Sequence, residues 1–208
     1  MPKSIIKEYI ETIDSLYGVF FDSCQGFESA KNTFQKSQLE TLRRNQELEK
    51  NKKPSNPTIY HTTIEALDSA CLIYSKGDKS EDNYRRLHYC PTQDEYKKRN
   101  SPEGENYRFI GNMTLISIFE YWESSCRNKL ASHHNIHRKY IKSHIMGDLR
   151  HIRNSIIHHR GIALPEINKC KTFGWYKEND GIFIDGDQME DIISAIKESK
   201  LELYYVAK

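Results

Sequence analysis

The sequence predicts a mostly α-helical fold that closes with a small β-hairpin and a terminal helix. Three observations lead there. Apolar residues recur at offsets of three and four over residues 3–22, 105–132 and 135–160, the spacing that gives a helix one apolar face. Pro54 and Pro57 end an otherwise helical first quarter, because neither can donate the helical backbone bond. Near the C-terminus, two short apolar runs flank Asn179-Asp180-Gly181, a hairpin-turn signature.

The elements follow in order. Ile5, Ile6, Tyr9, Ile10, Ile13, Leu16, Tyr17, Phe20 and Phe21 form the apolar face of the first helix. The chain stays helical in composition to about Lys50, with Gly26 marking a candidate bend. Residues 58–75 predict a short helix, with Ile64, Leu67, Cys71 and Leu72 on one side. Residues 75–104 are rich in Lys, Asp, Asn, Ser and Gly, and predict a long polar connection with one helical turn.

The helix over 105–132 places Phe109, Met113, Ile116, Phe119, Trp122 and Leu130 on one face. Ile141, Ile145, Leu149, Ile152 and Ile156 do the same over 135–160, where Gly161 and then Pro165 close the helix. Phe173–Tyr176 and Ile182–Ile184 are the expected hairpin strands. Asp187 is the expected cap of a last helix holding Met189, Ile192, Ile193 and Ile196.

Bulk properties narrow the function classes. A chain of 208 residues supports one well-buried domain with a modest extension. Its net charge of +2 is nearly neutral, so any nucleic-acid partner must be attracted by local charge. Cys24, Cys71, Cys90, Cys126 and Cys170 are scattered and show no zinc-finger or CxxC spacing, which points to reduced thiols. Charge enters the N-terminus too early for a signal peptide, and no apolar run approaches the ~20 residues that cross a bilayer. A cytoplasmic protein without membrane contact is expected.

Between Arg127 and Arg160 stand eight Lys or Arg, seven His and one acid, Asp148. A nearly neutral chain thus gathers its positive charge on one helix pair. Phosphate recognition is one use of such a patch, through release of condensed counterions; a solvated basic face is the other reading. His133 and His137 are four apart and share a helix face, but no third ligand is evident, so neither a metal nor another cofactor is expected.

Within that stretch, Leu149-Arg150-His151-Ile152-Arg153-Asn154-Ser155-Ile156-Ile157-His158-His159-Arg160-Gly161 resembles the signature of the HEPN superfamily (higher eukaryotes and prokaryotes nucleotide-binding). That signature runs from an arginine and a polar residue, through a short spacer, to a histidine near a helix end. Arg153, Asn154 and His158 meet it here. The preceding Leu115–Phe119 run, followed by Glu120-Tyr121-Trp122-Glu123 and Arg127, is also similar to the family's upstream helix.

The resemblance, carried by residues 105–165 and the N-terminal helix, implies a HEPN-like helical bundle over residues 1–165, and the hairpin and last helix of 166–208 are expected on the same domain. It implies a metal-independent endoribonuclease of a toxin–antitoxin or antiviral defence system, with RNA as substrate and a cognate antitoxin or defence protein as a further partner. A homodimer is implied too. The alternative is a non-catalytic HEPN-like module that binds RNA, nucleotide or a protein.

The chemistry suits these residue types. RNA is cut without metal when its 2′-hydroxyl attacks the adjacent phosphorus, which needs a proton carrier titrating near neutrality and a permanent cation. His158 and Arg153 are the catalytic candidates. Asn154 is a supporting residue, His159 the alternative histidine, and Glu120 and Glu123 are candidates to orient Arg153. Arg150, His151, Arg160 and Lys142 are candidate RNA contacts. Residues five apart on a helix differ by ~7.5 Å of rise and about 140° of rotation, so Arg153 and His158 do not face each other. Two such helices meeting across a two-fold axis would complete a site.

Overall fold

The computed structural model describes residues 2–78, 80, 82–90 and 92–207, with all their side chains except those of residues 73, 74, 86–90, 200 and 201. The Cys90 thiol, and the outermost residues Met1 and Lys208 of the two expected domains, thus lie outside the described part. The chain forms two compact units, one of residues 1–24 and 108–208, the other of residues 25–107. Helix α1 (Pro2–Lys50) supplies residues to both. It runs through Gly26 as one helix, because helical hydrogen bonding continues unbroken on both sides of that glycine.

The unit of residues 25–107 differs most from the sequence reading. Helix α2 (Ile64–Asp68) is one short element, capped by Thr63, whose hydroxyl accepts the Ala66 N–H. The chain then turns into strand β1 (Leu72–Lys76), which pairs antiparallel with β2 (Arg85–Cys90). Gly77, at φ 82°, begins the reversal between them. Helix α3 (Gln93–Arg99) follows, capped by Thr92. The polar connection expected at 75–104 is therefore a hairpin strand and a helix. Strand pairing and the Thr92 cap engage backbone groups of that segment's described residues, and neither needs a helical apolar periodicity in the sequence.

The other unit carries the long helix pair. Helix α4 (Glu105–Tyr121) leads into a π-helical turn at Trp122–Cys126 and then α5 (Arg127–His133). Strand β3 (Ile141–Lys142) precedes α6 (His144–His158), and α6 begins at Ser143, whose hydroxyl accepts the Met146 N–H. Helix α7 (Gly186–Ser199) follows, and β4 (Tyr205–Val206) returns to pair antiparallel with β3. The fold is mostly α with a small two-stranded antiparallel pairing near the C-terminus. Residues 173–184 take a turn at Asn179 instead of a ladder of their own, joined to the rest by an isolated Ile162–Gly181 bridge. Asp185, not Asp187, caps α7 by accepting the Gln188 N–H.

The core of this unit buries Ile6, Tyr9, Ile13 and Phe20 of α1, Leu149 and Ile152 of α6, and Met189, Ile192, Ile193 and Ile196 of α7. Helix α4 buries Leu115, Ile118 and Phe119, and Trp122 joins them from the π turn. Phe109 and Met113, expected on the same face, are 66% and 40% exposed. Gly111 and Asn112 occupy the buried face instead. A Cβ at Gly111 would collide with the Ile184 carbonyl, and the Asn112 carboxamide oxygen accepts the Ile184 N–H. The close approach of the 182–184 segment decides which side of α4 is covered.

Candidate functional site

Arg153 stands on the face of α6 that meets α4. Its guanidinium lies 4.0 Å from the Glu120 carboxylate, donates to the Asn154 carboxamide oxygen at 3.2 Å, and sits 6.0 Å above the Phe119 ring. The side chain is 25% exposed, and its buried Nε has no hydrogen-bond partner among the described residues. A buried donor left unmet costs ~1–3 kcal/mol. Arg153, Asn154 and Glu120 thus come together.

The histidines lie five and six residues further on. His158 is the last residue of α6 and His159 its C-cap, and both are exposed. Among the described residues, neither imidazole has a hydrogen-bond partner. Ser155 anchors this end. It is fully buried, donates to the His151 carbonyl and accepts the Leu164 N–H at 3.0 Å. Arg160 and Gly161 then adopt positive φ, 53° and 79°, which turns the chain away and leaves the histidines at the rim. Arg160 is exposed there too.

Glu123 is engaged elsewhere. Both its oxygens accept from Arg127 at 2.8 Å, and Arg138 approaches to 3.8 Å. Lys142 and Arg150 are exposed and line a cleft of about 100 Å³ between the π turn and the first half of α6, floored by Phe119, Trp122 and Met146. His151 is half-buried. Burial holds its pKa below 6.5, and the neighbouring cations Arg150 and Lys169 depress it further.

Two features escaped the sequence reading. The lone acid in the basic stretch, Asp148, is buried and accepts three consecutive backbone N–H groups, from Lys171, Thr172 and Phe173. Its isolation among cations was the available signal. Arg127 and Phe119 were visible as members of the run that resembles the family's upstream helix, but their places beside the cleft and beneath Arg153 depend on packing.

Other candidates are occupied. His134 Nε2 lies 2.8 Å from the Tyr204 hydroxyl, and His137 Nδ1 accepts the Lys139 N–H. Among the described residues, no three His, Cys, Asp or Glu side chains are grouped to hold a metal ion. Cys24, Cys71, Cys126 and Cys170 form no disulfide among the described residues. Burial pushes the Cys126 and Cys170 thiols up to about 12, so neither supplies a thiolate nucleophile near neutrality. No helix among the described residues is long and apolar enough to cross a membrane. Comparison with protein-family models, curated proteins and solved structures returned no match to this chain.

Proposed function

We propose that this chain is a metal-independent endoribonuclease of the HEPN type, acting as a two-fold dimer. One observation carries the reading. Among the described residues, a restrained arginine with an unmet buried donor stands five residues before the first of two unpartnered histidines at an exposed helix end.

In this mechanism the 2′-hydroxyl oxygen attacks the adjacent phosphorus and the bond from phosphorus to the 5′-oxygen breaks. One copy's His158 takes the proton of the attacking hydroxyl, and the second copy's His158 gives one to the leaving 5′-oxygen. The forked guanidinium of Arg153 exchanges Glu120 for the non-bridging oxygens, where negative charge accumulates. Asn154 holds the guanidinium from its own helix. The products are a 2′,3′-cyclic phosphate and a 5′-hydroxyl.

Two observations support the dimer. The ~140° offset between Arg153 and His158 leaves half a site on each helix. An unpartnered apolar surface also adjoins it. Phe109 and Met113 precede Glu120 by eleven and seven residues, so all three share one stripe of α4. Ile157, 43% exposed, follows Arg153 by one turn of α6. A second copy covering this surface would bring its own histidine to the first copy's arginine. The HEPN resemblance adds a cytoplasmic defence or toxin role, restrained by a cognate protein.

The test is product analysis. Cleavage of single-stranded RNA should persist in EDTA, leave cyclic phosphate ends and spare DNA, which lacks the attacking hydroxyl. His158→Ala should slow it roughly 10²- to 10⁴-fold, while His159→Ala keeps most of the rate. No cleavage by the parent, alongside RNA binding that depends on Arg153, would make the chain a binding module instead.

A further inference from the structure

The cleft between the π turn and α6 is unused by the cleavage chemistry. Three cations line it, Arg127, Lys142 and Arg150, with one carboxylate, Glu123. Glu123 is committed to Arg127, whose Nε also donates to the Ile141 carbonyl at 3.0 Å. That pair is a neutral wall. Lys142 and Arg150 have no ionic partner among the described residues, so the cleft carries about two uncompensated positive charges.

Its size limits what enters. The cleft holds about 100 Å³, whereas pockets that enclose a small organic ligand run to ~300 Å³ or more. The floor residues Phe119, Trp122 and Met146 are buried and offer no open ring face for a base to stack on. The space therefore fits an anion the size of a phosphate group. Its position is set by Phe119, which floors the cleft and also lies beneath the Arg153 guanidinium. Arg150 precedes Arg153 by one turn, ~4.5 Å of rise.

We infer that Lys142 and Arg150 form a seat for the RNA phosphate next to the one Arg153 engages, so that the enzyme grips two successive phosphates. This rests on the ribonuclease reading for the identity of the strand. The seat fixes the register of the strand over Arg153, and it makes a trinucleotide the shortest ligand that fills both positions. A dinucleotide has only one phosphate to give.

The experiment compares 2′-O-methyl dinucleotides and trinucleotides, which cannot be cleaved, by fluorescence anisotropy at several salt concentrations. The parent should bind the trinucleotide about tenfold more tightly. Lys142→Gln and Arg150→Gln should each shrink that margin and reduce the salt slope by about 0.7, the value for one contact to a single strand. Lys177→Gln, an exposed neutralisation away from the cleft, should leave the margin intact. Circular dichroism confirms that these surface variants are folded. A margin that survives Arg150→Gln and Lys142→Gln overturns the seat, whether or not RNA is cleaved. A margin that needs both residues, in a protein that cleaves no RNA, keeps the seat and overturns the ribonuclease reading. No binding of either oligonucleotide overturns both.

Discussion

Arg153 on α6 faces Glu120 on α4 across 4.0 Å, and the two are joined over the ring of Phe119. The carboxylate is 57% exposed, so water screens the pair and its strength is small, ~0–1 kcal/mol. A weak partner suits a group that must be exchanged for a phosphate. Arg153→Ala should lower RNA cleavage by about 10²- to 10³-fold, the usual effect of removing a donor that stabilises developing charge. Glu120→Gln should instead tighten RNA binding, by no more than about fivefold, since only a screened competitor is lost. Rate and affinity measurements on the two variants separate these effects. Loss of RNA binding in Glu120→Gln would mean that the carboxylate positions the arginine.

The exposed stripe on α4 gives a test of assembly. Phe109 and Met113 contribute little to the core, so Phe109→Glu with Met113→Glu should fold as the parent does. Light scattering should then report a monomer where the parent is a dimer. Cleavage should fall with dissociation and recover when the variant's protein concentration is raised. Full activity in a monomeric variant would remove the shared-cleft arrangement.

Asp148 makes a prediction that is independent of function. Replacing it by Ala strands the N–H groups of Lys171, Thr172 and Phe173, of which the last is in a buried residue. Unfolding free energy should drop by about 2–4 kcal/mol, with the urea midpoint shifting and the slope unchanged. A loss under ~1 kcal/mol would show that water replaces the carboxylate, since a surface change away from buried groups is worth about half that.

His151 sets a pH dependence. Its folded pKa lies below the unfolded value of 6.5, because burial and then the cations Arg150 and Lys169 disfavour the imidazolium. Across that window the unfolded chain binds more protons than the folded one. His151 is therefore neutral at no cost above 6.5, and stability declines as pH falls through the folded pKa. His151→Gln should flatten the decline in urea midpoint between about pH 6.5 and pH 5. An unchanged slope would assign the acid sensitivity to other groups.

Much of this protein was written locally. The apolar faces of α1, α6 and α7 follow from residues three and four apart, and Ile13, Leu149, Ile152 and Ile196 are fully buried as their spacing requires. Gly161 marks the end of α6 because only a left-handed turn releases the chain there. The clustering of Arg150, Arg153, His158 and Arg160 on one short segment is likewise a property of the chain order.

Tertiary structure decided the rest. Periodicity put Phe109 and Met113 on the α4 face with Phe119 and Trp122, but it cannot say which side of a helix a distant segment will press upon. The Ile184 backbone reaches Gly111 from more than seventy residues away, and that contact turns Phe109 outward. The strands at Leu72–Lys76 and Arg85–Cys90 pair through backbone groups that every residue carries, so the short apolar run at Leu72–Tyr74, which fits a helix face as well as a strand, became half of a hairpin. In the same way, Glu120 and Glu123 look alike in sequence, three residues apart. Glu123 is held by Arg127 four residues on, a pairing that residue order alone offers, whereas Glu120 lies toward Arg153 only because α4 and α6 pack together.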